Sequence, residues 1–114
     1  MSVISGYIPR ARMSAQERRW RSELNQLIRS VAFARGSMVF RERACGNKGC
    51  KCARGEKHPG VYLDINEDGR HWQIFIPTSR VEEVQCWTAQ YKKIRELLEN
   101  LSRIYWDKLR KREG

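Results

Sequence analysis

Long apolar runs are missing from this chain of 114 residues. The first dozen residues hold no apolar stretch of signal-peptide length, and no later segment approaches the roughly 18 apolar residues of a membrane span. We therefore expect a cytoplasmic protein with no membrane partner. Apolar residues make up 40% of the sequence, which suffices for one modest core and argues against a large buried catalytic cavity.

The sequence also lacks the residue sets on which hydrolases and phosphotransferases depend. It has no Ser-His-Asp set, no phosphate-binding glycine loop and no paired acidic cluster. Without these groups there is neither a nucleophile with a partnered base nor a cradle for phosphates. We therefore predict that the protein is not an enzyme.

Acidic residues are few: 13 Asp plus Glu stand against 23 Lys plus Arg, so the formal net charge is +10. The excess is uneven, because residues 1–36 carry seven arginines against two glutamates, while residues 61–79 carry one arginine against three acids. This balance favours a polyanionic partner, most often DNA or RNA. A generally soluble basic surface is the alternative.

The local patterns predict an α+β fold with a helix at each end. Ser14 to Glu17 has the form of a capping box, which predicts the start of a first helix after a flexible basic arm, residues 1–13. Gly36 is the expected stop. The apolar stripe of this helix consists of Trp20, Leu24, Leu27, Ile28 and Val31.

Three strands are predicted next, at 37–43, 61–66 and 71–76, with Asp68-Gly69 as a two-residue turn between the last two. The turn sets a register with one apolar surface, where Val61 faces Ile76, Leu63 faces Ile74 and Ile65 faces Trp72. The reverse face pairs Tyr62 with Phe75, Asp64 with Gln73 and Asn66 with His71. Tyr62 and Phe75 could stack on unpaired bases if that face is open. We expect instead that a helix covers it, because small sheets need a helical layer.

A second capping box, Ser79 to Glu82, predicts a long C-terminal helix. Apolar residues step by three and four along it in a coiled-coil-like heptad seam. The seam can pack antiparallel against the first helix, or it can be shared with a second copy or a larger protein. Because the first helix covers only about 30 Å of it, we expect part of the seam to form an interface. The seam consists of Val84 followed by the interface residues Trp87, Tyr91, Ile94, Leu98, Leu101 and Tyr105.

The cysteine segment, residues 45–58, interrupts the sheet and reads CGNKGCKCARGEKH. Structural zinc takes four thiolate or imidazole ligands in a tetrahedron, and short loops bring such ligands together. The segment supplies them in Cys45, Cys50, Cys52 and His58, so we predict bound Zn²⁺. Reduced structural thiols, a disulfide and iron–sulfur chemistry remain alternatives, and His71 or Cys86 are alternative fourth ligands. For Cys86 a buried apolar position is the simpler expectation.

Basic residues surround the predicted zinc site and are expected to meet phosphates. They are Arg41, Arg43, Lys48, Lys51, Arg54 and Lys57.

The run CGNKGCKCARGEKHPGVY resembles the hallmark of a small bacterial and archaeal family known only as a domain of unknown function. The likeness extends from about Arg18 to Leu109, with Asn47 in place of the usual Lys and an inverted Pro59-Gly60 order. Members of that family often lie beside mobile-element genes. The resemblance implies a fold and a loop, not a reaction. Together with the charge and the cysteine segment, we expect a single α+β zinc-loop domain over residues 14–114, with an accessory or regulatory role on nucleic acid. A protein-interaction adaptor that acts through the C-terminal helix is the alternative.

Overall fold

The computed structural model describes residues 6–43 and 58–112, except for the side chains of Arg43 and His58. Two helices and a three-stranded antiparallel sheet of order β1-β2-β3 account for most of them, which confirms the predicted α+β class. None of the described helices combines the length and the apolarity that a membrane span requires. In chain order the elements are a 3-10 turn at Arg10–Arg12, α1 (Ala15–Ser30), β1 (Ser37–Arg43), β2 (His58–Glu67), β3 (Arg70–Ile76), a 3-10 turn at Thr78–Arg80 and α2 (Val81–Arg110).

The chain divides into two compact units. The helical unit comprises residues 1–32 and 92–114, and the sheet unit comprises residues 33–91, so the residues of α2 are divided between them. Basic residues concentrate in the helical unit, where 14 Lys and Arg stand against six Asp and Glu. The sheet unit is nearly balanced, with nine against seven.

The hairpin of β2 and β3 has the predicted register at every pair. Val61 lies opposite Ile76 and Tyr62 opposite Phe75. Asp68 and Gly69 both have positive φ, 52° and 76°, as a type I′ turn requires at its two central residues. The local turn and the alternation of side chains are therefore enough to specify this pairing.

One face of the sheet packs against the start of α2. Leu63, Ile76 and Val84 are buried and form the core of the sheet unit. Val81 and Trp87 pack beside them from the helix. At the margins of this face apolar side chains stay 38–66% exposed, namely Phe40, Trp72 and Ile74.

Gly36 does not end the first helix, contrary to the sequence prediction. The helix ends at Ser30, where Val31 adopts an extended conformation and donates the last helical hydrogen bond to Leu27. Gly36 lies instead against Leu63, at φ 150°, and a Cβ there would stand 2.7 Å from the Leu63 Cδ1 atom. The glycine is needed for this close approach to the core and not as a helix cap.

In the helical unit, Glu17 is the only buried residue of α1. Its backbone N–H donates to the Ser14 hydroxyl at 3.0 Å, which confirms half of the predicted capping box. Its carboxylate does not return to the cap. The Oε2 atom accepts hydrogen bonds from the Tyr105 hydroxyl at 2.6 Å and from Arg21 Nε at 2.9 Å.

These contacts align α1 and α2 antiparallel, because Glu17 meets Tyr105 while the later residue Glu23 meets the earlier residue Lys93 at 3.5 Å. Burial alone would raise the pKa of Glu17. The hydrogen bonds from Tyr105 and Arg21, helped by the positive charge of Arg21, outweigh burial and lower that pKa below its ordinary value. The buried carboxylate is therefore charged at neutral pH.

The buried stripe of α2 differs from the predicted seam. Val84 and Ile94 are buried as expected, but the most buried residue of the helix is Leu97 at 2% exposure, whereas Leu98 is 49% exposed. A helix has 3.6 residues per turn, so a strict heptad pattern drifts around its surface. For this reason the heptad pattern predicted Leu98, whereas its neighbour Leu97 is the buried residue. Cys86 is exposed, so the prediction of a buried position for it was wrong. The predicted cap at Ser79 lies within the 3-10 turn.

We expect the substitution Tyr105→Phe to destabilise the protein by about 1.5–3 kcal/mol near neutral pH, because it removes a hydrogen bond to a buried charge.

The pKa of Glu17 is lowered by folding. The contribution of its charged carboxylate to the free energy of unfolding is therefore present above the ordinary glutamate pKa of about 4.3, and it is lost as pH falls through the lowered value. The difference between wild type and Glu17→Gln in thermal unfolding should therefore shrink below about pH 4.

Tyr91→Phe is the control, since that hydroxyl makes no hydrogen bond to any described residue. A pH-independent difference for Glu17→Gln would contradict the assignment of a charged carboxylate.

Leu97→Ala should cost about 2–5 kcal/mol of unfolding free energy, as expected for a buried leucine. Leu98→Ala should cost about 1 kcal/mol or less, because half of that side chain is already in water. Urea denaturation followed by circular dichroism measures both values. Equal losses would show that Leu98 shares the core and that the heptad prediction was right.

Candidate nucleic-acid interface

The face of the sheet that does not pack against α2 is here called the open face. Side chains alternate along each strand, so this face collects every second residue of the three strands. None of these residues is buried, and Phe75 is 57% exposed. Its described members are Ser37, Val39, Arg41, Gly60, Tyr62, Asp64, Asn66, His71, Gln73 and Phe75.

The expectation that a helix covers this face is not met by α2, whose start packs on the opposite face through Val84, in contact with Leu63 and Ile76. Phe75 is 57% exposed, and neither Phe75 nor Tyr62 belongs to the buried core of the sheet unit.

The aromatic pair is the central feature of the open face. The ring centroids of Tyr62 and Phe75 are 5.6 Å apart at an interplanar angle of 64°, which is an edge-to-face arrangement. Gly60 provides room for the pair: a Cβ there would lie 3.1 Å from the Tyr62 ring and 3.5 Å from the Phe75 ring. Opposite Gly60, on β1, stands the exposed side chain of Arg41. The face thus combines flat apolar surface with a cation.

A carboxylate with hydrogen-bond donors lies further along the same face. Asp64 contacts His71 Nε2 at 2.5 Å and accepts a hydrogen bond from the Gln73 amide at 3.3 Å. The hydrogen bond from His71 lowers the pKa of Asp64, against a smaller opposing effect of burial, and the Gln73 amide and the charge of Arg41 add to the lowering. The lowered pKa keeps this carboxylate ionised at neutral pH.

Most of the predicted zinc and phosphate ligands lie outside the described residues. Arg41 is the one phosphate-contact candidate whose side chain is described. Arg43 and His58 are described as backbone only, and they pair with each other at the ends of β1 and β2. The others, which lie in residues 44–57, are Cys45, Lys48, Cys50, Lys51, Cys52, Arg54 and Lys57.

Neither alternative zinc ligand, His71 or Cys86, belongs to a cluster of metal-binding side chains in the part of the chain that the structure describes. No group of three His, Cys, Asp or Glu residues suited to a metal ion occurs there. His71 contacts Asp64, and Cys86 is exposed on α2.

The predicted interface residues of α2 fall into both units. Trp87 packs beside the sheet core, with the Arg80 guanidinium 5.3 Å from its ring centroid. Leu98, Leu101 and Tyr105 lie together along a groove in the helical unit.

Sequence reasoning missed two features of the open face. Asp64 and His71 are diagonal neighbours across the hairpin, which the predicted register would have revealed had diagonal pairs been considered. The role of Gly60 had no sequence signal, because its contact with the rings depends on their rotamers.

Residues 11–85 match the model of the family described as Domain of unknown function (DUF6788). The match covers more than half of the chain, so the protein belongs to this family. It begins before the resemblance noted in the sequence and ends within α2. No curated protein and no solved structure matches the chain.

Proposed function

We propose that this member of the DUF6788 family is a small nucleic-acid-binding protein that stacks unpaired bases on the open face of its sheet. The proposal rests on one observation: Tyr62 and Phe75, which is 57% exposed, form an aromatic pair on the sheet face opposite the one that packs against the start of α2. Every base offers a flat π-surface that can stack on such aromatic side chains.

The exposed position of the rings favours single strands over duplexes. Bases in a duplex are stacked on one another, so a sheet face cannot reach their flat surfaces, whereas an unpaired base can be splayed out onto an aromatic side chain. Arg41 stands beside the pair, opposite Gly60. Its guanidinium can contact a phosphate next to the stacked base or add a cation–π contact.

The positive charge of the protein adds long-range electrostatic attraction for a nucleic acid to the short-range stacking of bases. The net charge of +10 favours encounter with any polyanion, and most of the excess belongs to the helical unit. The sheet unit is nearly balanced as a whole, but six of its nine cations are clustered between Arg41 and Lys57. Long-range attraction and base stacking would then come from different parts of the chain.

The zinc site is part of the proposal. Cys45, Cys50, Cys52 and His58 would hold Zn²⁺ and stiffen the segment that carries these cations. Arg43 and His58 are paired on adjacent strands, so the two ends of the segment start side by side. That lowers the entropy cost of closing it around a metal. An accessory or regulatory role, in a mobile element, is the biological setting that we propose from the family resemblance.

We expect Phe75→Ala to weaken binding of a fluorescein-labelled dT or rU oligonucleotide by about 5- to 150-fold, the equivalent of about 1–3 kcal/mol for one stacked base. Fluorescence anisotropy at one fixed salt concentration measures the change. A duplex of the same length should bind more weakly and respond little to the substitution.

Ile74→Ala is the matched control, because Ile74 neighbours Phe75 on β3, is 50% exposed and lies on the opposite face. If the two variants lose affinity equally, or if neither does, the open face is not the binding surface.

If Arg41 contacts one phosphate, Arg41→Gln should reduce the slope of log affinity against log salt by about 0.7.

Elemental analysis of protein purified without chelator should find one zinc per chain. Cys50→Ser should release the metal, because a structural site needs all four ligands, and the released metal should be accompanied by lower stability. Cys86→Ser should keep it, since Cys86 lies exposed on α2. Protein without bound metal, or Cys50→Ser with full metal content, would contradict the zinc site.

A further inference from the structure

A groove of about 840 Å³ runs between α1 and α2 in the helical unit. Its apolar lining comes from both helices. Three of these side chains remain half exposed: Ile28 at 50%, Leu98 at 49% and Trp106 at 49%. The other apolar contributors are Met13, Leu24 and Leu101.

Apolar side chains of α1 reach the groove without being fully buried. The only buried side chain of α1 is that of Glu17. Exposed apolar area costs about 25 cal/mol per Å² relative to burial, and contiguous apolar grooves with polar rims are typical of interaction sites. The helical unit buries Ile94 and Leu97 of α2 and still leaves apolar surface of both helices accessible to a ligand.

The charges around the groove indicate what kind of ligand fits. Three arginines line it, Arg10, Arg18 and Arg21, and no described carboxylate does. Arg21 is engaged with Glu17 at 2.9 Å. Arg10 and Arg18 make no ion pair with any described residue. Carboxylates of a ligand that approached this rim would meet unneutralised guanidinium groups.

We propose that the groove binds an amphipathic helix of another protein, one with an apolar face flanked by acidic residues. α1 has 16 residues, about 24 Å, which is enough to hold apolar anchors of a bound helix at i, i+3 or i+4, and i+7. A second copy fits less well, because a two-fold interface places the same patch on both sides. The described lining holds no carboxylate, so the second copy would offer none to these arginines. This surface is separate from the open face proposed to bind nucleic acid.

The test uses two labelled helical peptides with the same leucine positions, one with glutamates beside the leucines and one with lysines there. The glutamate peptide should bind in an anisotropy assay, and its affinity should fall as salt rises. The lysine peptide should bind at least 10-fold more weakly. Equal affinities, or no binding of the glutamate peptide at about 1 mM, would overturn the proposal.

Two substitutions locate the binding at the groove. Leu98→Asp should reduce affinity for the glutamate peptide at least 10-fold, whereas Leu109→Asp should not, because Leu109 is 77% exposed on the same helix and does not line the groove. Arg18→Glu should shift the preference toward the lysine peptide, and it places an acid near the N-terminus of α1, where the helix dipole tolerates it. Thermal unfolding checks that each variant is folded.

Two further outcomes would contradict the proposal, because each would show that a different molecule binds in the groove. If wild type is a dimer and Leu98→Asp is a monomer in analytical ultracentrifugation, a second copy fills the groove. If Leu98→Asp and Arg18→Glu abolish oligonucleotide binding without loss of folding, nucleic acid fills it. Phe75→Ala should leave peptide binding unchanged, which keeps this test distinct from that of the open face.

Discussion

The packing of Leu63 and Ile76 against Val84 decides which face of the sheet the helix covers. A three-stranded sheet has little area, and one helix can bury the apolar side chains of one face only. Once the first turns of α2 contact that face, they do not cover the aromatic pair on the other face. The same arrangement brings Gly36 against Leu63, where a larger residue would collide. The core of the sheet unit and the position of Tyr62 and Phe75 outside it are therefore consequences of one contact.

The helical unit differs from the sheet unit, because the most buried residue of α1 is the charged Glu17. Glu17 receives hydrogen bonds from Tyr105 and Arg21, which offset the cost of removing the carboxylate from water. Buried ion pairs add little net stability, but they can specify how helices align. The two helices are thus aligned by directional polar contacts, while apolar side chains such as Ile28 and Leu98 stay half exposed. That apolar surface is what makes a binding groove available.

The two proposed surfaces use different chemistry. The open face offers aromatic rings, one arginine and an occupied carboxylate, which suit an unpaired base and its phosphate. The groove offers aliphatic and indole surface bordered by arginines, which suits an apolar helix face flanked by acids. A protein with both could link a nucleic acid to a second protein. Such a role would reconcile the nucleic-acid and adaptor interpretations that the sequence left open.

Local patterns in the sequence determined the α+β class, the cap at Ser14 and every pair of the β2–β3 hairpin. These features depend on residues two to four positions apart or on the turn Asp68-Gly69, so their causes are contiguous in the chain. Tertiary structure alone decided that Glu17 turns to Tyr105, that Leu97 is buried where Leu98 was expected, and that the Tyr62 face is open. Each of these depends on a partner far away in the sequence. Periodicity indicates that a helix has an apolar side, but only the packed neighbour decides which residue of that side is removed from water.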